Sequence, residues 1–345
     1  MSSLVTFVIY RHCSLRARSY FGAMDLMNEN QLMARAAWLY YVAGLNQEAT
    51  SKRMNLTRAR VNKLLSSARE TGLVSISINE RHVGLLAQEE AIRAHFGLDF
   101  CLTTPELGLS ADSDDASANI ALNMVGTAGA QFLREQLTAN LSAVIGTGWG
   151  RTLECLSRNM SGVTAPKTKF FSLMGSLTSN SSFNPFEVVH ALAQATDAEG
   201  YFLPAPFVAD STEDRDVFFA QRAIAQTISL AERADFALVS VGELTEKSLL
   251  RRQNMISADE AASLRAAGAV GDTNGIFFDK DGNPVDHDIN QRTIAIGLPL
   301  LRKTKTIVLS AGQSKLTATQ AILRSGVVKG LIIDGDSARA LSEMI

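Results

Sequence analysis

Between Leu45 and Leu65 the chain reads LNQEATSKRMNLTRARVNKLL, two short amphipathic patterns joined at Asn55. That spacing reads as a helix-turn-helix, because the second helix restarts within a few residues of the first. Asn55 stands where such a turn takes a left-handed residue, a conformation Asn tolerates better than most. Thr57 offers a hydroxyl to cap the helix that follows. Val61, Leu64 and Leu65 share its inner face and leave Arg58, Ala59, Arg60, Asn62 and Lys63 outward.

The flanks fit the same module. Leu32, Ala36, Leu39, Tyr40 and Ala43 recur at helical spacing before Gly44, and a helix from Gln47 to Met54 follows. After Gly72, LVSISI alternates as a short closing strand would. The formal net charge is only −2, yet between Thr50 and Glu70 Lys52, Arg53, Arg58, Arg60, Lys63 and Arg69 face the single acid Glu70. A local basic footprint of this kind is what a nucleic-acid partner requires, whatever the whole-chain charge. Arg58 and Arg60 also lie in a first helical turn, where the macrodipole disfavours cations. Phosphates or guanine edges approaching from outside would reverse that penalty, as in a recognition helix entering a major groove. Arg58, Arg60, Asn62 and Lys63 are then the operator-reading set, capped by Thr57, with Gln47 and Arg69 in supporting phosphate contacts. A solvated helix face is the plain alternative.

A chain of 345 residues exceeds what one ordinary core serves, so two domains are expected. With 46% hydrophobic and 20% charged residues it falls in the soluble globular class. No apolar run approaches the ~20 residues of a membrane span. Leu4 to Tyr10 is apolar, but no basic segment precedes it and no small-residue cleavage site follows, so a secretory signal is not expected. Residues 1–29 read as an extension, with Met24 or Met27 as an alternative start. Cys13, Cys101 and Cys155 are too scattered for a disulfide framework or a metal site, which suits a reducing cytoplasm. The organisation expected is a DNA-binding domain over 30–80, a connector helix over 81–96 and a larger α/β domain over 97–345.

In that larger part the apolar runs LSAVIGTG, KFFSLMG, YFLPAPFV, FALVSVG, TIAIG, TIVLSAG and GLIIDG alternate with helical stretches. Such alternation reads as a parallel sheet covered on both faces, and ligands of such sheets bind at the carboxyl ends of the strands. Four loops are candidates. In the first, Gly146, Thr147, Gly148, Gly150, Arg151 and Thr152 end a strand and open a helix, where small residues, hydroxyls and a guanidinium suit an anion. It lacks the Lys of a Walker loop, and Arg151 occupies the third glycine position of a dinucleotide fingerprint. The second runs from Gly175 through Asn184, and its polar residues could meet ligand hydroxyls or cap the next helix. The third, Gly271 to Gly275, carries Asp272, an acceptor for a polyol or a turn-former. The fourth, Ser310 to Lys315, carries Gly312 and sets Lys315 at a helix start, again a poor place for a cation without an anion. Two such cationic loops after different strands point to a phosphorylated small molecule.

Other segments read as structural. Asp279-Lys-Asp-Gly-Asn283 has Gly282 too early for a calcium loop, and Asn290 stands where a bidentate Glu is needed. Asp286, His287 and Asp288 could form an acid–base pair or a metal site, but His12, His82, His95 and His190 are scattered and no hydrolytic triad is visible.

The segment AAWLYYVAGLNQEATSKRMNLTRARVNKLLSSARETGLVSISI resembles the DNA-binding end of the SorC family of bacterial sugar-responsive regulators. Thr50 and Ser51 replace its usual Ile-Ala pair, and Asn55 a common Gly. IGTGWGRTL, GAVGDTNGIFFDKDG and AGQSKLTATQAIL resemble landmarks of that family's effector domain, with Gln313 in place of a second Gly. NPFEVVHALAQ and YFLPAPFVADSTEDR are similar to regulators of erythritol catabolism. The resemblance spans about residues 30–345. It implies a fold related to sugar-phosphate isomerases and deaminases, a phosphorylated sugar or polyol effector, no cofactor, assembly into dimers or tetramers, and control of promoter affinity. The competing readings are an isomerase or deaminase using Asp272 or His287 as its acid–base group, and a protein-interaction adaptor built on a winged helix.

Overall fold

The computed structural model describes residues 28–74, 86–108, 115–176, 185–246 and 248–345. The expected closing strand after Gly72 falls mostly outside these residues, as does Asn184. The chain separates into two compact units, one up to Val74 and one from Ser75 onward.

In the first unit α1 (Glu29–Ala37) starts from a capping box in which Asn28 and Gln31 satisfy each other's backbone N–H groups. It runs into a wider turn over Trp38–Val42, where the Ala43 N–H reaches back to the Trp38 carbonyl. The extra residue in that turn rotates the helical face. Ala43, expected inside at ordinary spacing, is therefore exposed, and Met33, Ala36, Ala37 and Leu39 form the inner face instead. α2 (Gln47–Met54) is capped by Asn46 and stopped by Asn55 at φ 50° and ψ 41°. α3 (Arg58–Glu70) begins at Thr57, whose hydroxyl accepts the Arg60 N–H. Met54, Val61, Leu64, Leu65 and Ala68 close the core between the three helices. Truncating Leu64 to Ala would cost about 2–5 kcal/mol, since nothing can refill the space.

The second unit contains β1 (Phe100–Thr103), β2 (Val144–Thr147), β3 (Lys169–Ser172), β4 (Glu199–Tyr201), β5 (Phe236–Ser240), β6 (Gly242–Glu243), β7 (Gly271–Thr273), β8 (Ile276–Phe278), β9 (Lys305–Ser310) and β10 (Val328–Ile333). Seven of these form one parallel sheet in the order β1-β10-β9-β5-β2-β3-β4. β6, β7 and β8 make a separate antiparallel sheet. Successive residues of a strand point to opposite faces. Accordingly Ala237, Val239, Val308, Leu331 and Ile333 enter one core, and Phe236, Leu238, Ile307, Leu309 and Ile332 the other. Helices Leu86–Phe96, Arg222–Ala231, Leu316–Arg324 and Gly335–Glu343 cover the first face; Asp115–Ala139, Arg151–Arg158 and Pro185–Thr196 cover the second.

The structure departs from the expected strand set in three ways. β1 was not anticipated, because FCLT is too short a run to stand out. TIAIG joins no sheet; Thr293 and Ala295 form only isolated bridges to Val208 and Met174. YFLPAPFV keeps strand geometry only through Tyr201, since Pro204 and Pro206 lack the N–H groups a ladder needs. The helix Leu86–Phe96 is packed into the second unit, with Ile92 fully buried and the Glu89 carboxylate accepting the Thr103 N–H at 2.7 Å.

The strand order turns at β2. Strands β3 and β4 proceed to one side and β5, β9, β10 and β1 lie on the other. Loops leaving β2 and β5 therefore diverge over the carboxyl edge and open a crevice.

Candidate functional site

That crevice gathers six backbone segments, among them Met174 after β3 and Ser248 to Leu250 at a helix start. Trp149, Gly150 and Arg151 follow β2; Ser240 to Glu243 run from the end of β5 through β6; Asp272, Asn274 and Gly275 come from the β7–β8 hairpin; and Lys315 follows β9. Its free volume is about 40 Å³, room for a few waters. Gly150 has φ 129°, and a Cβ there would lie 2.6 Å from Ser240 Oγ, so only glycine fits. Asn274 (φ 52°) and Gly275 (φ 75°) are both left-handed, the turn an Asn-Gly hairpin favours.

The two cations of the crevice make no direct contact with an acceptor among the described residues. Lys315 is 7% exposed and starts the helix Leu316–Arg324 after one tight turn. Its ammonium forms no hydrogen bond or ion pair with any described residue, and neither does the half-buried Arg151 guanidinium. Burial pushes the Lys315 pKa down; Glu243 favours the charged form and Arg151 opposes it. Asp272 is 8% exposed, and burial raises its carboxyl to about 6 against the bond it accepts from the Gly275 N–H at 3.1 Å. Several buried polar atoms also lack partners: Asn274 Oδ1 and Nδ2, Trp149 Nε1, Thr147 Oγ1 and Thr152 Oγ1. Each would cost about 1–3 kcal/mol if nothing ever bonded to it.

Of the residues singled out from sequence, Gly150, Arg151, Asp272 and Lys315 meet in the crevice. Gly148 supports it from below, for a Cβ would fall 2.4 Å from Asn274 Oδ1. Gly312 (φ 95°) shapes the turn into Lys315, and its N–H is held by Asp334 at 2.7 Å. Gly146 and Thr147 lie within β2 itself, and a Cβ at Gly146 would strike Leu173 and Phe171. Gly175 passes against the Pro206 and Ala205 carbonyls. These two glycines are cleared for neighbouring protein atoms. Thr152 is buried one position into the helix that Gly150 caps. Sequence reasoning passed over Trp149, Glu243 and Asn274. For Asn274 the signal was available in the Asn-Gly pair before IFF.

In the first unit Arg58, Asn62 and Lys63 are exposed on one face of α3. Arg58 Nε donates to Gln47 Oε1 at 3.3 Å, tying the first cation to α2. Arg60 pairs with Glu29 of α1 at 2.5 Å. Arg69 reaches Ser66 Oγ at 3.5 Å. The Thr57 hydroxyl is engaged in capping α3, so its first role is to set the angle of the helix.

His287 does not line the crevice. Its Nδ1 accepts the Ile289 N–H at a helix start and its Nε2 meets Ser263 Oγ. The Asp279 loop is a turn, with Asp279 Oδ1 accepting the Asp281 and Asn283 N–H groups. Among the described residues no helix is long and apolar enough to cross a membrane.

Comparison with known proteins extends this picture. The family model described as "Putative sugar-binding domain" matches residues 80–342. The erythritol catabolism regulatory protein EryD of Brucella abortus is 33% identical over 313 residues, 91% of this chain and 96% of that protein. The deoxyribonucleoside regulator of Bacillus subtilis is 29% identical over 91% of this chain and 97% of its own. The crystal structure of the full-length sorbitol operon regulator SorC from Klebsiella pneumoniae shares the fold, with a TM-score of 0.68 at 22% identity over 92% of this chain and 99% of that one. These relatives are regulators of transcription, which sets aside the isomerase and deaminase reading. The chain belongs to the sugar-binding-domain family of SorC-type transcriptional regulators.

Proposed function

We propose that this regulator holds the operator of a carbohydrate or polyol catabolic operon through α3, and that a phosphorylated sugar or polyol in the crevice alters that hold. The observation that carries the reading is the pair of unpartnered cations, Arg151 and Lys315, one of them nine-tenths buried beside the acceptor Asp272. A buried ammonium with no carboxylate in direct contact is poorly compensated for its lost hydration, and a dianionic phosphate would relieve it through charge-assisted bonds. Asp272 would then accept a hydroxyl of the same molecule.

Arg58, Arg60, Asn62 and Lys63 contact the duplex in this reading, with Gln47 and Arg69 at phosphates. Residues 30–80 form the DNA-binding domain and 97–345 the sensing and self-association domain, with 81–96 between them in sequence. The protein works in the cytoplasm as a dimer or tetramer, which sets two recognition helices on successive major grooves. The ligand's authority over DNA equals its preference for one arrangement of the protein over another.

The test is a titration of DNA upstream of the protein's own gene at fixed salt, with and without a panel of sugar and polyol phosphates. Sequence-specific binding that one compound shifts at least fivefold is the expected result. Weak, sequence-indifferent, strongly salt-dependent binding that no compound changes would overturn it.

A further inference from the structure

A groove of about 680 Å³, sharing no residue with the crevice, lies between the helix Arg222–Ala231 and the β4 end of the sheet. Its lining is apolar at Tyr201, Phe202 and Leu230 and cationic at Lys169, Arg222 and Arg233. Arg222 is exposed, holds the first position of its helix, and makes no hydrogen bond or ion pair with any described residue. The macrodipole disfavours a cation there, so an anion brought from outside would improve its position. Arg233 bonds back to Ser229 of the same helix, and Lys169 stands 3.9 Å from Glu199.

The preceding helix, Thr212–Phe219, has the opposite character. Its last residues, Phe218 and Phe219, pack with Ile224 at the start of Arg222–Ala231, so the acidic helix and the basic groove adjoin on one surface. Val217 is 60% exposed, with Glu213 and Asp214 one turn before it and Asp216 beside it. Asp210, just ahead of the helix, is exposed as well. Neither Asp210 nor Glu213 makes an ion pair with a described residue.

We propose that this surface is a self-association face, on which the acidic helix Thr212–Phe219 of one copy enters the basic groove of a second, and the second returns the contact about a two-fold axis. An isologous interface needs both halves of the match on one patch. Here one half is an apolar knob, Val217, among carboxylates; the other is an apolar trough among cations. An apolar centre with a polar rim is the ordinary anatomy of such contacts, and opposite charges fix register and exclude wrong partners. An unrelated acidic partner would use the groove alone and leave Val217 in water. A second copy uses both halves.

This inference rests on the self-association in the proposed reading, and the experiment separates the two. Sedimentation velocity of the full chain without DNA would compare the unmodified protein with Arg222→Glu/Arg233→Glu and with Asp210→Lys/Glu213→Lys. All four positions are exposed, so the fold should survive. Each variant alone sets like charges together and should raise the dissociation constant about tenfold or more, giving the next smaller species. An equimolar mixture should reassemble. In the mixed pair carboxylates meet arginines on one side and lysines meet glutamates on the other. Val217→Ser, which changes no charge, should weaken association about fivefold and decides the matter if a charge variant fails to fold. Variants that stay assembled, or that dissociate and do not recombine, overturn this inference and leave self-association through another face standing. An unmodified protein that is monomeric at tens of micromolar overturns both.

Discussion

Arg58 and Lys63 on α3 and Arg151 and Lys315 in the crevice carry the same charge in opposite surroundings. The first pair stands in water, where attraction to an anion is weak, long-ranged and screened by salt. The second pair is wholly or partly withdrawn from water, where an anion is held strongly but only if it fits. One arrangement suits a long polyanion read along its length, the other a small molecule that must be told from its neighbours. The contrast shows in the polar atoms too. On α3 Gln47 and Glu29 already occupy two of the arginines, whereas in the crevice with Lys315 the Asn274 amide and the Trp149 indole remain unpaired.

The strongest way to break this contrast is Lys315→Met, which keeps the stem and removes the charge. It should weaken a phosphorylated ligand by roughly 30- to 1,000-fold, as loss of one member of a buried charge pair does. Operator affinity without ligand should stay within about twofold, measured by fluorescence anisotropy. Equal loss of both in a folded variant would end the division of labour.

Asp272→Asn comes next and is read in stability. The folded carboxyl titrates near 6, above its ordinary value near 4, so the folded state holds its proton more tightly. The native protein therefore loses stability as pH rises from about 4 to 6, and the cost is complete above that window. The amide variant should gain on the order of 3 kcal/mol at pH 8, a gain that vanishes below about pH 4. A change in unfolding midpoint that is the same at both ends would contradict the assignment.

Arg58→Ala should weaken operator binding about tenfold and lower the slope of log affinity against log salt by about 1, with ligand binding unchanged. The smallest effect sharpens the comparison. Glu29→Gln would release Arg60 from its ion pair, and exposed pairs are worth about 0.2–1 kcal/mol. Operator affinity should rise by up to about fivefold at low salt and not at all at high salt. A rise that persists at high salt would mean that Glu29 acts on more than the charge of Arg60.

The first unit was legible in sequence almost residue by residue because its signals are local. Thr57 caps the helix it precedes, and Asn55 is left-handed where the turn needs it. The turn at Trp38–Val42 escaped because hydrophobic spacing cannot reveal one inserted residue. In the second unit the segments after β2 and β9 and around Asp272 were recognisable as loops, though Gly271–Thr273 is a strand of the β7–β8 hairpin, and their meeting depends on β5 lying between β2 and β9. No local pattern carries that order. Gly146, Gly148 and Gly175 looked alike in sequence, since clearance for a ligand and clearance for a leucine, an amide or a carbonyl all demand the same missing Cβ. Asn274 failed for the opposite reason: its pairing with Gly275 explains the turn so well that nothing in the sequence asks where its amide points.

The crevice's 40 Å³ also has a consequence in time. The polyol phosphate proposed above is larger than a few waters, so on that proposal the lining gives as the ligand seats. Where that opening precedes binding, the apparent affinity is reduced by the fraction of molecules that are open. Stopped-flow mixing would then show an observed rate that levels off as ligand concentration rises. On the proposed reading that plateau is the opening frequency of the protein itself, and it would limit how quickly the regulator responds to its effector.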